Sequence, residues 1–172
     1  DDFATHMNGQ FAIALWDRPR RRLLLVRDRP GILPLYFSCD GQRLLFASEV
    51  KALLPAMSAR PQLNPAALDQ LMTFWAPVSP ASLFKGVEEV SPGEMVIIES
   101  GQLRRRRYWE WTFPADGDYL RGSVDDLTEE LHSLLLDATR LRLRADVPVG
   151  AYLSGGLDSS GISALVRHLG HP

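Results

Sequence analysis

The chain has 172 residues, of which 45% are hydrophobic and 23% charged, and its formal net charge is −2. This is the composition of an ordinary folded protein, and the mildly acidic balance argues against a nucleic-acid partner. No apolar run is long enough to cross a bilayer, and the start of the chain lacks a signal peptide, so we expect no membrane contact. The single cysteine, Cys39, excludes an internal disulfide and fits a reducing compartment, which predicts a cytoplasmic location.

The first two thirds of the chain predict short antiparallel strands with two helices between them. Six segments alternate or cluster apolar residues as strands do, and they pair as hairpins: 11–16 with 23–26, 34–38 with 43–47, and 95–98 with 103–109. Cys39 is expected in the turn of the second hairpin, next to an Asp-Gly pair. Ser48 is expected to cap a short helix, and Asn64 followed by Pro65 predicts the start of a longer one. Residues 77–92 are expected to form a loop.

The last third of the chain has a different pattern. Residues 111–122 are polar and aromatic with no clear period, which indicates a linker. A long amphipathic helix is predicted to begin near Ser123, because leucines recur at helical spacing between an acidic start and a basic end. A buried strand is then predicted over 147–153, a tight polar loop over 154–160, and a second helix from Gly161.

The loop at 154–160 has the features of a phosphate-binding site. It stands between a predicted strand and a helix, where helix N–H groups without partners and a positive dipole end favour an anion. Gly155 and Gly156 allow positive φ and close approach of a ligand, and we expect Gly156 to need this freedom. Hydroxyl donors are added by Ser154, Ser159 and Ser160. Asp158 would repel phosphate unless Mg²⁺ bridges the two.

The loop lacks the lysine of the kinase-type phosphate loop. It resembles instead the Ser-Gly-Gly-x-Asp-Ser loop of the ATP pyrophosphatase superfamily, whose members cleave ATP between its α and β phosphates and form an adenylate. That resemblance implies the following ATP- or pyrophosphate-binding residues: Leu153, Ser154, Gly155, Gly156, Asp158, Ser159 and Ser160. It also implies Mg²⁺ at Asp158, held through the phosphates. The alternative is a Gly-Ser loop that binds nothing.

The sequence around the loop narrows the resemblance to the glutamine-hydrolysing asparagine synthetases. Six segments resemble that family in the same order: GQFAIALWD at 9–17, RDRPGILPLY at 27–36, FASEVKAL at 46–53, PG at 92–93, RYW at 107–109 and DVPVG at 146–150. Together with the loop, these segments extend over essentially the whole chain.

This resemblance implies a fold and a reaction. Residues 1–110 would be the later part of an α+β sandwich, the N-terminal nucleophile glutaminase domain. Residues 111–122 would be a linker, and 123–172 the start of a doubly wound α/β ATP pyrophosphatase domain. The family uses ATP and Mg²⁺ to convert aspartate to β-aspartyl-AMP, and ammonia from glutamine then gives asparagine. Glutamine, aspartate and ATP would be the partners, and a homodimer is compatible with the resemblance.

The catalytic residue of the family's glutaminase domain is an N-terminal cysteine, and this chain has Asp1 at that position. We therefore expect a fragment with no catalytic residue for glutamine hydrolysis, and we interpret Cys39 as a structural or incidental thiol. The segments that hold glutamine in the family would precede Asp1. Later parts of the synthetase domain would follow Pro172.

Other polar and aromatic features have simpler interpretations. Arg27 and Asp28 predict a buried ion pair that holds the sheet. Alternatively, the two residues would form a wall of the glutamine pocket or of the ammonia tunnel. The run from Arg104 to Arg107 predicts a solvated sheet edge that discourages strand addition rather than an anion site. The tryptophans are expected to pack in the core or linker: Trp16, Trp75, Trp109 and Trp111.

Two alternatives to asparagine synthesis stay open at this stage. One keeps the architecture and changes the acceptor, as in β-lactam synthetases, lasso-peptide cyclases and the amidotransferases of surface-polymer loci. The other is a non-catalytic nucleotide-binding protein, although the loop retains both glycines and Asp158.

Overall fold

The computed structural model describes residues 2–170, and the chain divides into two compact units between Thr112 and Phe113. The first unit contains seven strands and two α-helices. The strands are β1 (Ala12–Asp17), β2 (Arg22–Arg27), β3 (Tyr36–Cys39), β4 (Leu44–Ala47), β5 (Glu88–Glu89), β6 (Glu94–Glu99) and β7 (Gln102–Arg107). The helices are α1 (Val50–Leu53) and α2 (Pro65–Phe74). Single 3₁₀ turns occupy Phe3–His6 and Leu54–Ala56.

The strands form two antiparallel sheets, one with the order β1-β2-β6-β7 and the other with the order β4-β3-β5. All three predicted hairpins are confirmed, since β1 pairs with β2, β3 with β4, and β6 with β7. The predicted loop over 77–92 contains β5, which adds a third strand to the small sheet. This short strand brings Glu89 within ion-pair distance of Arg27 on β2 and Glu88 within ion-pair distance of Arg105 on β7.

The two central strands of the large sheet, β2 and β6, have a core on each face. Leu25 and Val96 lie opposite each other and pack on Phe37 of the small sheet. Their neighbours Leu24 and Met95 point to the other face, where they meet a second cluster that contains Ala4 and Phe11. Strands buried on both faces need continuous apolar sequence, which β2 and β6 have. Complete burial stabilises the fold by roughly 1.5–3 kcal/mol for each such side chain.

Several local expectations for the first unit are wrong. Cys39 is the last residue of β3 rather than a turn residue. The cap of α1 is Glu49 instead of Ser48, whereas Asn64 does precede α2 as predicted. The hydroxyl of Ser48 therefore has no capping role.

The expectation that the tryptophans pack in the core or linker is wrong for Trp16 and Trp75. Trp16, Trp75 and Trp111 are exposed, and the side chain of Trp75 is 91% exposed. Trp75 ends α2 with a left-handed backbone (φ 67°), so it leaves the helical spacing on which its predicted burial depended. Trp16 lies on the edge strand β1, where nothing in the described residues covers its outer face. Trp109 is half-buried and packs edge-on against Trp111, with ring centres 4.7 Å apart.

The second unit contains two helices, α3 (Val124–Arg142) and α4 (Leu157–His168). The predicted start of α3 is confirmed: the Ser123 hydroxyl accepts a hydrogen bond from the Asp126 N–H at 3.1 Å. The Asp126 carboxylate in turn accepts one from the Ser123 N–H. This reciprocal capping box satisfies two N–H groups that a helix end otherwise leaves without partners.

The predicted strand over 147–153 is wrong, because this segment is irregular and exposed. Tyr152 in its middle is 100% exposed. A parallel strand requires neighbours for its backbone N–H and C=O groups, and the described part of the second unit contains no strand to pair with it. The second helix also starts four residues earlier than predicted, at Leu157 instead of Gly161.

Candidate functional site

The candidate site is the loop that leads into α4, and its two glycines have different backbone dihedral angles. Gly155 has a positive φ of 84°, whereas Gly156 is the N-cap of α4 with φ −78° and ψ 164°. The expectation that Gly156 needs positive φ is therefore wrong, and Gly155 is the residue that uses this freedom. Leu153 precedes the loop and is exposed.

The earlier start of α4 moves three of the predicted site residues from a loop into a helical turn. Asp158, Ser159 and Ser160 are in the first turn, and the Ser160 N–H donates the first helical hydrogen bond to Gly156 O at 3.1 Å. The N–H groups of residues 157–159 precede that bond, so the helix provides no acceptor for them. Together with the positive end of the helix dipole, they form a place where an anion is favoured.

Two serine hydroxyls close this loop on itself. Ser154 Oγ and Ser159 Oγ are 3.0 Å apart and share a hydrogen bond, and Ser159 Oγ also donates to Gly156 O at 3.1 Å. The Gly156 N–H points at Ser154 Oγ from 3.5 Å. The structure thus brings Ser154, Gly156 and Ser159 together, with both hydroxyls next to the N–H groups at the start of α4.

A cavity of about 490 Å³ lies beside the loop, within the second unit. It is bounded by α3, residues 149–152 and α4, and its walls are mostly apolar, with Asp158 and Ser159 among the polar groups. Cavities of this size accept small organic ligands when a few polar groups are placed at one side. The arrangement is compatible with a nucleotide whose phosphates lie at the start of α4.

Asp158 is the one carboxylate of the predicted site. Within residues 2–170, no group of three or more His, Cys, Asp or Glu side chains is arranged to hold a metal ion. Mg²⁺ commonly takes only one or two protein carboxylates and completes its coordination with phosphate oxygens and water. Asp158 therefore fits Mg²⁺ that arrives with phosphate, and does not fit a metal held by protein groups alone.

In the first unit, Arg27 and Asp28 do not pair with each other as predicted, because each has different partners. Arg27 Nη1 is 2.7 Å from Glu89 Oε1, and its guanidinium also donates to the carbonyls of Gly31, Leu33 and Val90. All these acceptors lie within 2.7–3.0 Å. The structural interpretation of Arg27 is favoured, since one side chain ties a loop to the opposite sheet.

Asp28 is fully buried and binds three backbone N–H groups. Its carboxylate accepts hydrogen bonds from Phe11, Ile32 and Leu33 at 2.8–3.2 Å, which satisfies a charge that would otherwise be costly to bury. The loop that it organises is tight: a Cβ at Gly31 would lie 2.7 Å from Pro92 Cγ. Asp28 and Arg27 therefore fix the loop between β2 and β3.

The arginine run of β7 is a solvated sheet edge, as predicted. Its four arginines are paired with carboxylates: Arg104 with Glu99, Arg105 with Glu88 and Glu94, Arg106 with Asp2, and Arg107 with Glu110. Arg105 also lies over the ring of Phe37, 5.4 Å from its centre. The positive charge of this edge is therefore paired with neighbouring carboxylates.

The sequence analysis missed a different basic cluster, in a cleft lined by Arg43, Arg60 and Lys85. These residues are up to 42 positions apart in the chain. No local pattern connects them, and only the pairing of β3 with β4 and the path of the following loop bring them together.

Two protein families match this chain. Residues 1–109 match the glutamine amidotransferase domain family, and residues 130–172 match the asparagine synthase family. No helix in residues 2–170 is long and apolar enough to span a membrane.

Individual relatives match almost the whole length of this chain. Asparagine synthetase [glutamine-hydrolyzing] 3 of Bacillus subtilis is 34% identical over 96% of this chain and 26% of its own length. A putative asparagine synthetase of Methanocaldococcus jannaschii is 33% identical over 96% of this chain and 32% of its own length. Amidase chry2 of Gibberella zeae is 39% identical over 97% of this chain and 24% of its own length. The chain belongs to the asparagine synthetase family, and it spans about a quarter to a third of the length of these relatives.

Proposed function

We propose that the whole protein is a glutamine-hydrolysing asparagine synthetase, a carbon–nitrogen ligase that uses ATP and Mg²⁺. In this reaction an aspartate carboxylate attacks the α-phosphorus of ATP and pyrophosphate leaves. Ammonia from glutamine then attacks the acyl carbon of the aspartyl-adenylate, and AMP leaves. The observation that carries the proposal is the loop of Ser154, Gly155 and Gly156 at the start of α4, which has free N–H groups, two hydroxyls and Asp158.

The residues of the loop have separate roles in this proposal. The N–H groups of residues 157–159 hold the phosphates that become pyrophosphate, because they are fixed at the positive end of α4 before the reaction begins. Ser154 and Ser159 exchange their mutual hydrogen bond for bonds to phosphate oxygens, and Ser160 lies close enough in sequence to assist. Asp158 would hold Mg²⁺ that arrives with those phosphates, and the ion would supply positive charge to neutralise the leaving group.

The glutaminase half of the reaction requires a residue that this chain does not provide. The only thiol is that of Cys39, which ends β3 and has no α-amino group beside it to act as a base. We propose that the 172-residue chain alone releases no glutamate from glutamine. Glutamate release by the purified chain would contradict this.

The boundaries of the proposed domains stay as predicted from the sequence: 1–110, a linker at 111–122, and 123–172. The N-terminal nucleophile fold and the pyrophosphatase fold are part of the same proposal. So are a cytoplasmic location and a homodimer, and light scattering on the whole protein tests the latter.

A second function has support from the relatives. Two of them, Amidase chry2 of Gibberella zeae and Amidase chyE of Penicillium rubens, are 39% and 36% identical to this chain and are named as amidases. A protein with the same loop and another acceptor than aspartate would account for this likeness. The two proposals differ in which acceptor supports adenylate formation.

The test is ATP–pyrophosphate exchange by the whole protein, run beside glutamate release. With aspartate present we expect exchange, and Asp158→Asn is expected to lower its rate by about 10²–10³ because an electrostatic clamp on the phosphates is lost. Asp137→Asn, an exposed carboxylate on α3, is the matched control and should leave exchange unchanged. Exchange that needs another acceptor supports the second function, and unchanged exchange in Asp158→Asn contradicts the role of the loop in both.

A further inference from the structure

A cleft of about 250 Å³ lies in the first unit, beside the turn between β3 and β4. Three basic side chains from separate segments line it: Arg43 from the turn, Arg60 from the segment after α1, and Lys85 from the loop before β5. The chain as a whole is mildly acidic, so this cleft differs in sign from the average surface. A concave site with like charges concentrates ions of opposite sign.

Asp40 is the single carboxylate in the lining, and it organises the cleft. It accepts hydrogen bonds from the N–H groups of Gln42 and Arg43 at 3.1 and 2.8 Å and from the Ser58 hydroxyl at 2.9 Å. The Arg43 N–H, followed by the Ser58 hydroxyl, holds the pKa of Asp40 at about 2, well below its usual value. Asp40 thereby joins the turn to the segment at 57–61 and fixes both walls.

The same network positions Arg43. Its guanidinium contacts the Ser58 hydroxyl and lies 3.6 Å from the Asp40 carboxylate, so its charge is partly neutralised. Arg60 and Lys85 are different, because no carboxylate within the described chain lies at ion-pair distance from either. Among the described residues, Lys85 Nζ has only the amide oxygen of Gln62 as a polar partner, at 3.4 Å. Within residues 2–170, three cations thus face one carboxylate, and two of the cations have no counter-charge.

We propose that this cleft binds a small polyanion that carries phosphate or several carboxylates. The charge excess favours a ligand with at least two negative charges, and arginine and lysine donors favour phosphate and carboxylate oxygens. The volume limits the ligand to roughly the size of pyrophosphate or a tricarboxylate. The site is separate from the loop at 154–160 and does not depend on the proposed enzymatic reaction.

The experiment is an NMR titration of the complete 172-residue chain, with pyrophosphate and citrate as separate probes. We expect saturable amide shifts at Gly41, Arg43, Ala59 and Gly86, with a dissociation constant that rises steeply with salt. Shifts with pyrophosphate alone support a phosphate ligand, and shifts with both probes support recognition by charge. Amide shifts confined to residues 154–160 would overturn the proposal. So would binding that does not saturate below roughly 10 mM of either probe, because weaker binding is not specific.

Variants separate this cleft from general attraction to a basic surface. The double substitution Arg60→Ser with Lys85→Ser should weaken binding by about tenfold or more, since two charged donors are lost. Arg18→Ser with Arg21→Ser removes two exposed charges from the β1–β2 turn and should change the dissociation constant by less than about twofold. Equal weakening in the two double variants contradicts a specific site. Circular dichroism verifies that both remain folded.

Discussion

Arg27 on β2 and Glu89 on β5 form a 2.7 Å ion pair that joins the two sheets of the first unit. Their side chains are only 8% and 15% exposed, and Arg27 uses its remaining donors on three backbone carbonyls. The charge on Arg27 is therefore withdrawn from water and depends on Glu89 for neutralisation. β5 has only two residues, and this pair ties it to β2 in addition to its backbone pairing with β3.

Glu89→Gln should lower the free energy of unfolding of the first unit by about 3 kcal/mol, because it leaves a buried guanidinium without its counter-charge. Urea unfolding followed by circular dichroism measures this. Glu49→Gln is the matched control, since Glu49 pairs with Lys51 on the surface, and its loss should cost under about 0.5 kcal/mol. Equal losses in the two variants would show that the buried Arg27–Glu89 pair stabilises the fold no more than a surface ion pair does.

The Asp40 carboxylate should make the free energy of unfolding depend on pH in acid. Its folded pKa of about 2 lies below the ordinary value of 3.8, so the native state favours the charged form. The stability that Asp40 contributes is therefore present above about pH 4 and is lost as the pH falls toward 2. The Asp40→Asn variant lacks this pH-dependent contribution, so its free energy of unfolding should decline less steeply as the pH falls from about 4 toward 2. Urea titrations of both proteins at several pH values test this, and parallel slopes would contradict the assignment.

The loop before α4 predicts different effects at its two glycines. Gly155→Ala places a side chain at φ 84°, which costs about 1–2 kcal/mol, so ATP–pyrophosphate exchange by the whole protein should fall by about tenfold. Gly156→Ala keeps an allowed φ of −78°, and its new Cβ would meet only Ser154 Oγ, at an ordinary 3.6 Å. A smaller loss is expected there. A larger loss at Gly156 would show that close approach of the ligand, rather than backbone conformation, limits this loop.

The second unit should be less stable than the first when the chain is studied alone. Thr139 is the only buried residue of α3, and α4 has none. Helices without a buried apolar face obtain little stability from packing. Hydrogen exchange should therefore be faster throughout α3 and α4 than in β2 and β6. Protection in α3 that matches the central strands would be the contrary result.

The sequence predicted best those elements whose partners are near in the chain. Period-two alternation and a nearby turn were sufficient for all three hairpins, and Ser123 identified the start of α3 because its capping partner is three residues away. The strand expected over 147–153 failed for the opposite reason. Its apolar residues satisfy a local pattern, but strand formation depends on partners from other parts of a sheet.

Side-chain partners were the least predictable. Adjacent opposite charges at Arg27 and Asp28 suggested a pair, but β2 ends at Arg27 and the Asp28 carboxylate turns to the backbone N–H groups of Ile32 and Leu33. Arg27 reaches Val90, 63 positions away, and Asp28 binds the backbone of Phe11. In the candidate site, the residue types predicted an irregular segment before α4, and residues 154–156 form one. They did not reveal which glycine has positive φ or where α4 begins, because both depend on the path of the backbone.

The exposure of three of the four tryptophans has a practical consequence for optical work on this chain. Indoles in water emit at long wavelength whether or not the chain is folded, so Trp16, Trp75 and Trp111 add a nearly constant background. Only the half-buried Trp109 is placed to change its emission when the first unit unfolds. Total tryptophan fluorescence would therefore understate unfolding. Replacing the three exposed indoles by phenylalanine would leave a single reporter in the segment that follows β7.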